Sequence, residues 1–459
     1  MIRYNPTKRI QTALKNKDTK VLKSLCETLH PASMAGLLVD FEYDDVWNII
    51  RGVSPQLRAE IFSHLEVTMQ TDVAQHISRR ELATLVTYMS HDDRVDLIKR
   101  LPEEVAEKLM SALAEKERAD IQNLASYREG TAGSVMTSEY VSLPANITAG
   151  EAIDLIRREA ADKETIYNAY VVDSEHRLIG FITLKDLILA RTDKYIQDVM
   201  SKEMIYAYVT DDQESVARTI AKYDRISVPV INENNILLGI VTHDDAMDVI
   251  ESEYTEDIEK FMAISGSHDS EGYLSVPVTT HFRNRVFWVV VLAFMGIISG
   301  MVLHHFEDTL SSLMILALYM PMMMDTGGNT GSQAATVVIR ALALGDVKAK
   351  DIFRVVWKEL RIALMISLIL GVLAFGRVLF LSRNSVIPPG FDLINIAIVI
   401  SLSLSIQVVS ATLIGALLPM IVSRLKLDPA VVASPAITTM VDITGLLIYF
   451  TTATLLLGL

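Results

Sequence analysis

From residue 283 onward the chain is a series of long apolar runs, and roughly 20 such residues in a helix cross a hydrocarbon core about 30 Å thick. Candidate spans begin near Val286, Thr309, Val355, Leu393 and Pro429, which makes five. A membrane offers the backbone no water to bond with, so this part is restricted to a bundle of spanning helices. The last run, PAVVASPAITTMVDITGLLIYFTTATLLLGL, holds a single carboxylate, Asp442, and no Lys or Arg follows it. A carboxylate at that depth is costly and is normally partnered or exposed to a watery path. Asp442 is therefore the first candidate for a cation site.

The chain before these runs is a different material. Residues 1–282 hold 47 Asp+Glu against 30 Lys+Arg, net −17, whereas residues 283–459 hold 9 against 12, net +3, together the −14 of the whole chain. An acidic soluble body thus precedes a membrane domain, and no nucleic-acid partner is expected. Arg340, Lys348, Lys350, Arg354, Lys358 and Arg361 cluster between the second and third spans, and Arg424 with Lys426 between the fourth and fifth. The opposite loops carry only Arg377 and Arg383 near their ends. The positive-inside bias places the N-terminus in the cytoplasm and the C-terminus outside a cell (inner) membrane crossed several times. The N-terminus, MIRYNPTKRIQTALKNKDTK, lacks the apolar core of a signal peptide, which agrees. Cys26, the only cysteine, excludes an intrachain disulfide framework and reads as a small core residue.

Residues 25 to about 130 read as short helices: DDVWNIIRGV, SPQLRAEIFSHL, RRELATLVTYM, DDRVDLIKRL and PEEVAEKLMSAL. Each has apolar residues at three-and-four spacing and a Ser, Asp or Pro near its start. A right-handed superhelical stack is the simplest packing for such units, serving as a scaffold or as a sensor. From Val135 to Ile250 the pattern changes and repeats. NAYVVDSEHRLIGFITLKDLI pairs with SVPVINENNILLGIVTHDDAM at an offset of 59, so Val171 answers Val230, Gly180 answers Gly239 and Asp186 answers Asp245. Each copy reads as strand, helix, strand, a hairpin with Gly, strand, then a helix opening at Thr-x-x-Asp. This resembles a tandem pair of CBS domains, a regulatory module that often binds adenine nucleotides such as ATP. Thr183 with Asp186, and Thr242 with Asp245, match the module's ribose-and-phosphate corner, and the same residues are equally explained as helix-capping pairs.

HDDAMDVIESEYTEDIEKF reads as a helix, yet from Asp244 to Glu259 it carries eight acids (Asp244, Asp245, Asp248, Glu251, Glu253, Glu256, Asp257, Glu259) and no Lys or Arg. Like charges three or four apart destabilise a helix by roughly 0.2–0.5 kcal/mol per pair. A solvated face and a cation-neutralised sensor both fit; the helix leads straight into the first span, which favours the sensor. Asp92, Asp93 and Asp96 in the helical stack, and Asp211, Asp212, Glu214 and Asp224 in the second repeat, could face it. At net −17 the soluble body should repel itself unless counter-ions bridge its parts. Carboxylates without thiols and with few His favour Mg²⁺ or Ca²⁺ over zinc or copper.

The second span contains PMMMDTGGNTGSQAATVVIRAL. Gly327, Gly328 and Gly331 are expected to break up the helix and admit close backbone approach, with a small-residue packing seam as the alternative. Asn329, Ser332, Gln333 and Thr336 add oxygens near mid-depth.

At these residues the chain resembles the MgtE family of magnesium channels and transporters. The resemblance covers nearly the whole chain, with PMMMDTGGNTGSQAAT and DPAVVASPAITTMVDITGLLIYF its most specific motifs. It implies a multi-domain fold: a cytosolic α-helical superhelical N domain (1–134), tandem α/β CBS domains (135–250), an acidic plug helix with its linker (244–275) and a five-helix transmembrane pore domain (283–459). It also implies a homodimer in membrane lipid, with a pore on the two-fold axis lined mainly by the second and fifth spans. Asp442 would hold a largely hydrated Mg²⁺, with Ser434, Thr438 and Thr439 contacting the water shell. Asp325, Gly327, Gly328, Asn329, Ser332 and Thr336 would line the pore. Glu60, Asp92, Asp96, Asp212, Glu214, Ala221, Asp224, Asp245, Asp248, Glu253, Glu256 and Asp257 fall at or close to the family's cytosolic Mg²⁺-sensing positions. Ser434 and Ser332 stand where some members have Asn, and Thr438 replaces a small apolar residue; each still offers an oxygen.

On this reading the chain is not an enzyme: Mg²⁺ enters through the pore and, once abundant inside, binds the acidic regions and shuts it. A broader divalent transporter (Mn²⁺, Co²⁺) and a nucleotide-responsive CBS membrane sensor without transport are the alternatives. Asp325-Thr-Gly also matches an aspartic-protease triplet that Asp442 could complete, but the triplet lies in a Gly-rich membrane segment rather than a β-rich lobe.

Overall fold

The computed structural model describes residues 6–160, 163–266, 273, 276–432 and 434–459. The described residues divide into two compact units, one holding those up to Glu253 together with Tyr273, the other those from 254 to 266 and from Val276 onward.

The first unit begins with helices of 8 to 11 residues between Pro6 and Ala125. Local chemistry starts them: Asp18 accepts from the Val21 amide and Ser54 from that of Leu57, while Ser78 and Glu81 form a reciprocal capping box. Each helix is too short to bury its apolar stripe alone and packs on the helix two places along: Tyr43–Ile50 on Val67–His76, Pro31–Leu38 on Pro55–Ser63. The result is the stacked superhelix expected. Ile10, Cys26, Met34, Val46 and Phe62 fill its core.

Two three-stranded sheets follow. β1 (Val141–Pro144) pairs parallel with β2 (Asn168–Val172), which pairs antiparallel with β3 (Leu178–Thr183). β4 (Ala207–Tyr208), β5 (Ser227–Ile231) and β6 (Leu237–Thr242) repeat the arrangement. The offset of 59 survives in the register: Val171 opposes Gly180 as Val230 opposes Gly239, and a bulge follows both pairs. These glycines have a specific use. A Cβ on Gly239 would strike the Met136 side chain and the Thr137 carbonyl, and one on Gly180 would strike Met200 and Ser201. Each repeat's Val-Met entry segment therefore lies across the other repeat's hairpin, which locks the pair together.

The acidic segment is a helix, His243–Phe261; residues 267–272, 274 and 275 of the expected linker lie outside the described residues. In the second unit five long helices run Val278–His305, Met320–Ala343, Ile352–Leu381, Leu393–Arg424 and Ser434–Leu457. Among the described residues four helices are long and apolar enough to cross a membrane, and the second of the five is not one of them. Its Asp, Asn, Gln, Ser and Thr residues lower its hydropathy, and the expected start near Thr309 is a short helix, Glu307–Ser312, and a 3₁₀ segment, Met314–Tyr319.

One expectation is overturned. Gly327, Gly328 and Gly331 do not break the second helix, which runs unbroken from Met320 to Ala343. They form a packing seam: a Cβ on Gly328 would lie 2.8 Å from Thr438 Cγ2, and one on Gly331 3.2 Å from the Ala411 carbonyl oxygen. On the fourth helix, Gly415 meets the Gly331 carbonyl so closely that no side chain fits. Small residues here let helices two, four and five approach backbone to backbone.

Candidate cation pathway and acidic cluster

The same seam fixes what the opposite face of the second helix does. With Gly327, Gly328, Gly331, Ala334, Ala335 and Val338 buried against its neighbours, Asp325, Asn329, Gln333 and Thr336 emerge at helical spacing on an exposed face. A row of carboxylate, amide and hydroxyl groups is a poor match for lipid and a good one for a water-filled path. Asp442 lies in the third turn of the fifth helix, half-buried, its Oδ1 buried without a hydrogen-bond partner. Asp325 is near enough for the two charges to interact.

The three positions at which the sequence departs from the resemblance come together. Ser434 donates to Ser332 Oγ at 3.0 Å, and Ser332 Oγ lies 3.3 Å from Thr438 Oγ1. Thr438, Thr439 and Thr336 also donate to carbonyls of their own preceding turns, which leaves oxygen lone pairs to face water. Asp325-Thr-Gly, as part of a continuous helix, lacks the setting of a protease triplet.

The candidates on the first unit and the acidic helix fall into three groups. In the first, Asp92 hydrogen-bonds Asp245, and Asp92 Oδ1 is buried without a partner. Desolvation, then the neighbouring Asp245 and Asp93, push the Asp92 carboxyl well above the usual range. Asp245 is pushed up to about 6, mainly by desolvation and then by Asp244, against the lowering effect of its bond to Thr242. Asp248 is raised by partial desolvation and by Asp244 and Glu251. Glu164, which sequence reasoning missed, is raised to about 7 by desolvation and by Asp92, Glu139 and Asp244. Its only signal was its charge, since nothing in the spacing ties residue 164 to residue 92.

Beside this excess of carboxylate a resident cation is already spent. Burial would lower the His91 imidazolium, but hydrogen bonds to Asp120 and Glu139 outweigh it and hold it at about 9; the contacts are 2.7 and 3.0 Å. Arg94 reaches Glu139 only at 3.9 Å.

In the second group the candidates have partners within the chain. Asp96 pairs with Arg100 at 3.6 Å, Glu214 with Arg218, and Glu253 accepts from Gln213 at 2.6 Å. Asp212 caps the helix Gln213–Tyr223 that carries the exposed Ala221, and Asp224 ends it with φ of 50°. Glu60 is exposed on Pro55–Ser63. In the third group Glu256 shares the Lys260 ammonium with Asp428, at 2.7 and 3.0 Å; Asp428, in the loop between the fourth and fifth helices, was not anticipated. Asp257 lies on the same stretch of helix. Among the described residues no group of three or more His, Cys, Asp or Glu is disposed to hold a metal ion. The Asp92–Asp245 pair offers two carboxylates, which suits Mg²⁺, an ion that retains several waters.

At the expected nucleotide corners, Thr183 donates to Asp186 Oδ2 at 2.6 Å and accepts from the Asp186 amide at 3.1 Å. Thr242 likewise donates to Asp245. In this structure Thr183 caps its helix, and Thr242 is bonded to the Asp245 carboxylate.

A helical stack, a paired CBS module and a helix bundle with an acid-bearing polar face together have the organisation of a membrane cation transporter that carries a large additional N-terminal region. Family models agree piece by piece: "MgtE intracellular N domain" matches residues 29–130, "CBS domain" residues 132–193 and 196–252, and "Divalent cation transporter" residues 320–452. The magnesium transporter MgtE of Thermus thermophilus is 36% identical over 451 residues, covering 98% of each chain. That of Bacillus subtilis is 33% identical, covering 97% of this chain and 96% of its own. The crystal structure of the cytosolic domain of the Mg²⁺ channel MgtE in complex with ATP is 34% identical with a TM-score of 0.51, covering 53% of this chain and 99% of that one. The chain belongs to the MgtE family.

Proposed function

We propose that the protein conducts Mg²⁺ into the cell as a homodimer and is closed by Mg²⁺ bound to its cytosolic region. The observation that carries this reading is the polar face of the second helix, Asp325, Asn329, Gln333 and Thr336, beside the unpaired Asp442 oxygen. Two copies of Asp442 about a two-fold axis would supply two carboxylates, with Ser332, Ser434, Thr438 and Thr439 hydroxyls toward the water shell. That is weak, outer-sphere recognition, strong enough to admit a hydrated ion and loose enough to release it.

Closure follows from the soluble charge. When cytosolic Mg²⁺ is scarce, Asp92, Asp245 and Glu164 repel one another or bind protons; when it is abundant, the ion takes the protons' place and draws the helices His91–Arg100 and His243–Phe261 together. The N-terminus is cytosolic on this reading. The relative crystallised with ATP supports nucleotide binding at Thr183–Asp186 or Thr242–Asp245, where ligand would compete with the capping bonds. Flux of Mg²⁺ into proteoliposomes, with Mn²⁺ and Co²⁺ as competitors, tests transport and selectivity together; absence of flux would leave a membrane sensor instead.

A further inference from the structure

The fourth helix carries one polar side chain that the pathway does not use. Gln407 is 1% exposed, and among the described residues neither its Oε1 nor its Nε2 finds a hydrogen-bond partner. Several other polar side chains on this helix find partners: Ser403 and Thr412 donate to carbonyls one turn back, and Ser405 to those of Ser401 and, on the third helix, Ser367. Gln407 instead reaches outward into two notches. A Cβ on Gly327, on the second helix, would sit 3.1 Å from Gln407 Cδ, and one on Gly445, on the fifth, 2.5 Å from it. The carboxamide thus occupies the space that two missing side chains leave open. Those notches lie two residues from Asp325 and three from Asp442.

We infer that Gln407 is a positioning residue of the conduction pathway. Its carboxamide is a wedge between the helices that carry Asp325 and Asp442, and its lack of partners biases those helices away from the packing seen here. An amide denied both water and protein partners is costly, and costlier at membrane depth. A small separation of the second and fifth helices admits water to the notch, or turns the amide toward a backbone carbonyl, and removes that penalty. In the packing seen here the Gln407 carboxamide has van der Waals contact alone; in the separated one it also gains hydrogen bonds. The amide therefore favours the wider arrangement, and an apolar side chain of the same length would favour the narrower.

This inference rests on the transport reading, and the experiment separates the two. Mg²⁺ flux into proteoliposomes is measured against internal Mg²⁺ for the wild-type chain, Gln407→Met and Gln407→Asn, with monodispersity in detergent confirming assembly. Gln407→Met, equal in length but without donors or acceptors, should close at about tenfold lower internal Mg²⁺, the scale set by one unpaired buried group. Its half-saturation for external Mg²⁺ should be unchanged, because Asp442 is intact. Gln407→Asn retains the amide and should lie closer to wild type than Met does. A merely structural role would lower stability in both variants without moving the closing concentration. Wild-type flux with unchanged closing concentration in Gln407→Met would overturn this inference alone. A wild-type chain without flux would overturn the transport reading and this inference with it.

Discussion

Replacing Asp245 by Asn should tighten the soluble region in the absence of magnesium and weaken its response to the ion. Asp245 sits against Asp92, and desolvation with neighbouring charge moves its carboxyl from the ordinary 3.8 to about 6. A displacement of that size disfavours the ionised form in the folded chain by about 3 kcal/mol, or roughly a hundredfold in a local opening equilibrium. The sign follows from proton binding. The folded state holds the proton more tightly than the unfolded one, so the stabilisation is complete below pH 4 and is lost as pH rises through about 6. Amide hydrogen exchange on the full chain in detergent reads this directly in the helices His91–Arg100 and His243–Phe261. Without Mg²⁺, after correction for intrinsic rates, the wild type should open more readily at pH 7.5 than at pH 5. Millimolar Mg²⁺ should restore protection at pH 7.5 by taking the proton's place. Asp245→Asn keeps an oxygen for Thr242 and removes the charge, so at pH 7.5 without Mg²⁺ it should be better protected than the wild type and gain less from Mg²⁺, the remaining response being that of Asp92 and Glu164. Equal opening of the wild type at pH 5 and 7.5, or an Asn variant that opens more readily than wild type, would refute the reasoning.

Deleting residues 1–130 should raise the internal Mg²⁺ needed to stop flux, because Asp92 and its neighbours are lost; an unchanged closing concentration would show that the helical stack does not sense the ion. Gly415→Leu should destabilise the membrane unit by at least about 1–3 kcal/mol through its clash with the Gly331 carbonyl. Gly376→Leu, where a Cβ meets nothing within 4 Å, is the control that thermal unfolding in detergent should leave near wild type. Lys260→Met removes the ammonium shared by Glu256 and Asp428. These side chains are about a third exposed or more, so stability should change by less than about 1 kcal/mol, but hydrogen exchange at 254–261 should become sensitive to Mg²⁺.

Much of this was legible because the governing patterns are local. Short capped helices, two hairpins and four strongly apolar spans are written in consecutive residues, and the offset of 59 reappears as identical strand register; the hairpin turns, however, hold His176 and Asn235 at positive φ, and Gly180 and Gly239 lie within the strands instead. The second span was harder. Its glycines read as helix breakers, but a glycine in a membrane helix surrounded by others can instead be a contact surface, and which occurs depends on residues 80 to 110 positions away, such as Gln407, Gly415 and Thr438. The acidic cluster was legible only in part for the same reason. Charge spacing on His243–Phe261 identified the helix as one that needs neutralising, and Asp92 with Asp245 does meet. Spacing could not distinguish them from Glu214, Glu253 or Asp96, which are already paired with Arg218, Gln213 and Arg100. Nor could it indicate that Glu164 joins the cluster or that Lys260 reaches Asp428, since both depend on how the chain folds back.

The claim on which the account turns is that Asp442 is where the ion is held in the membrane. The direct measurement is Mg²⁺ uptake into proteoliposomes by the wild-type chain and by Asp442→Ala and Asp442→Asn, each shown to be folded and of native assembly size. The wild type should transport Mg²⁺, Asp442→Ala should lose uptake to background, and Asp442→Asn, which keeps an oxygen but not the charge, should fall at least tenfold, about the effect of one lost charge contact. Undiminished uptake by Asp442→Ala would place the ion's path elsewhere and contradict the account.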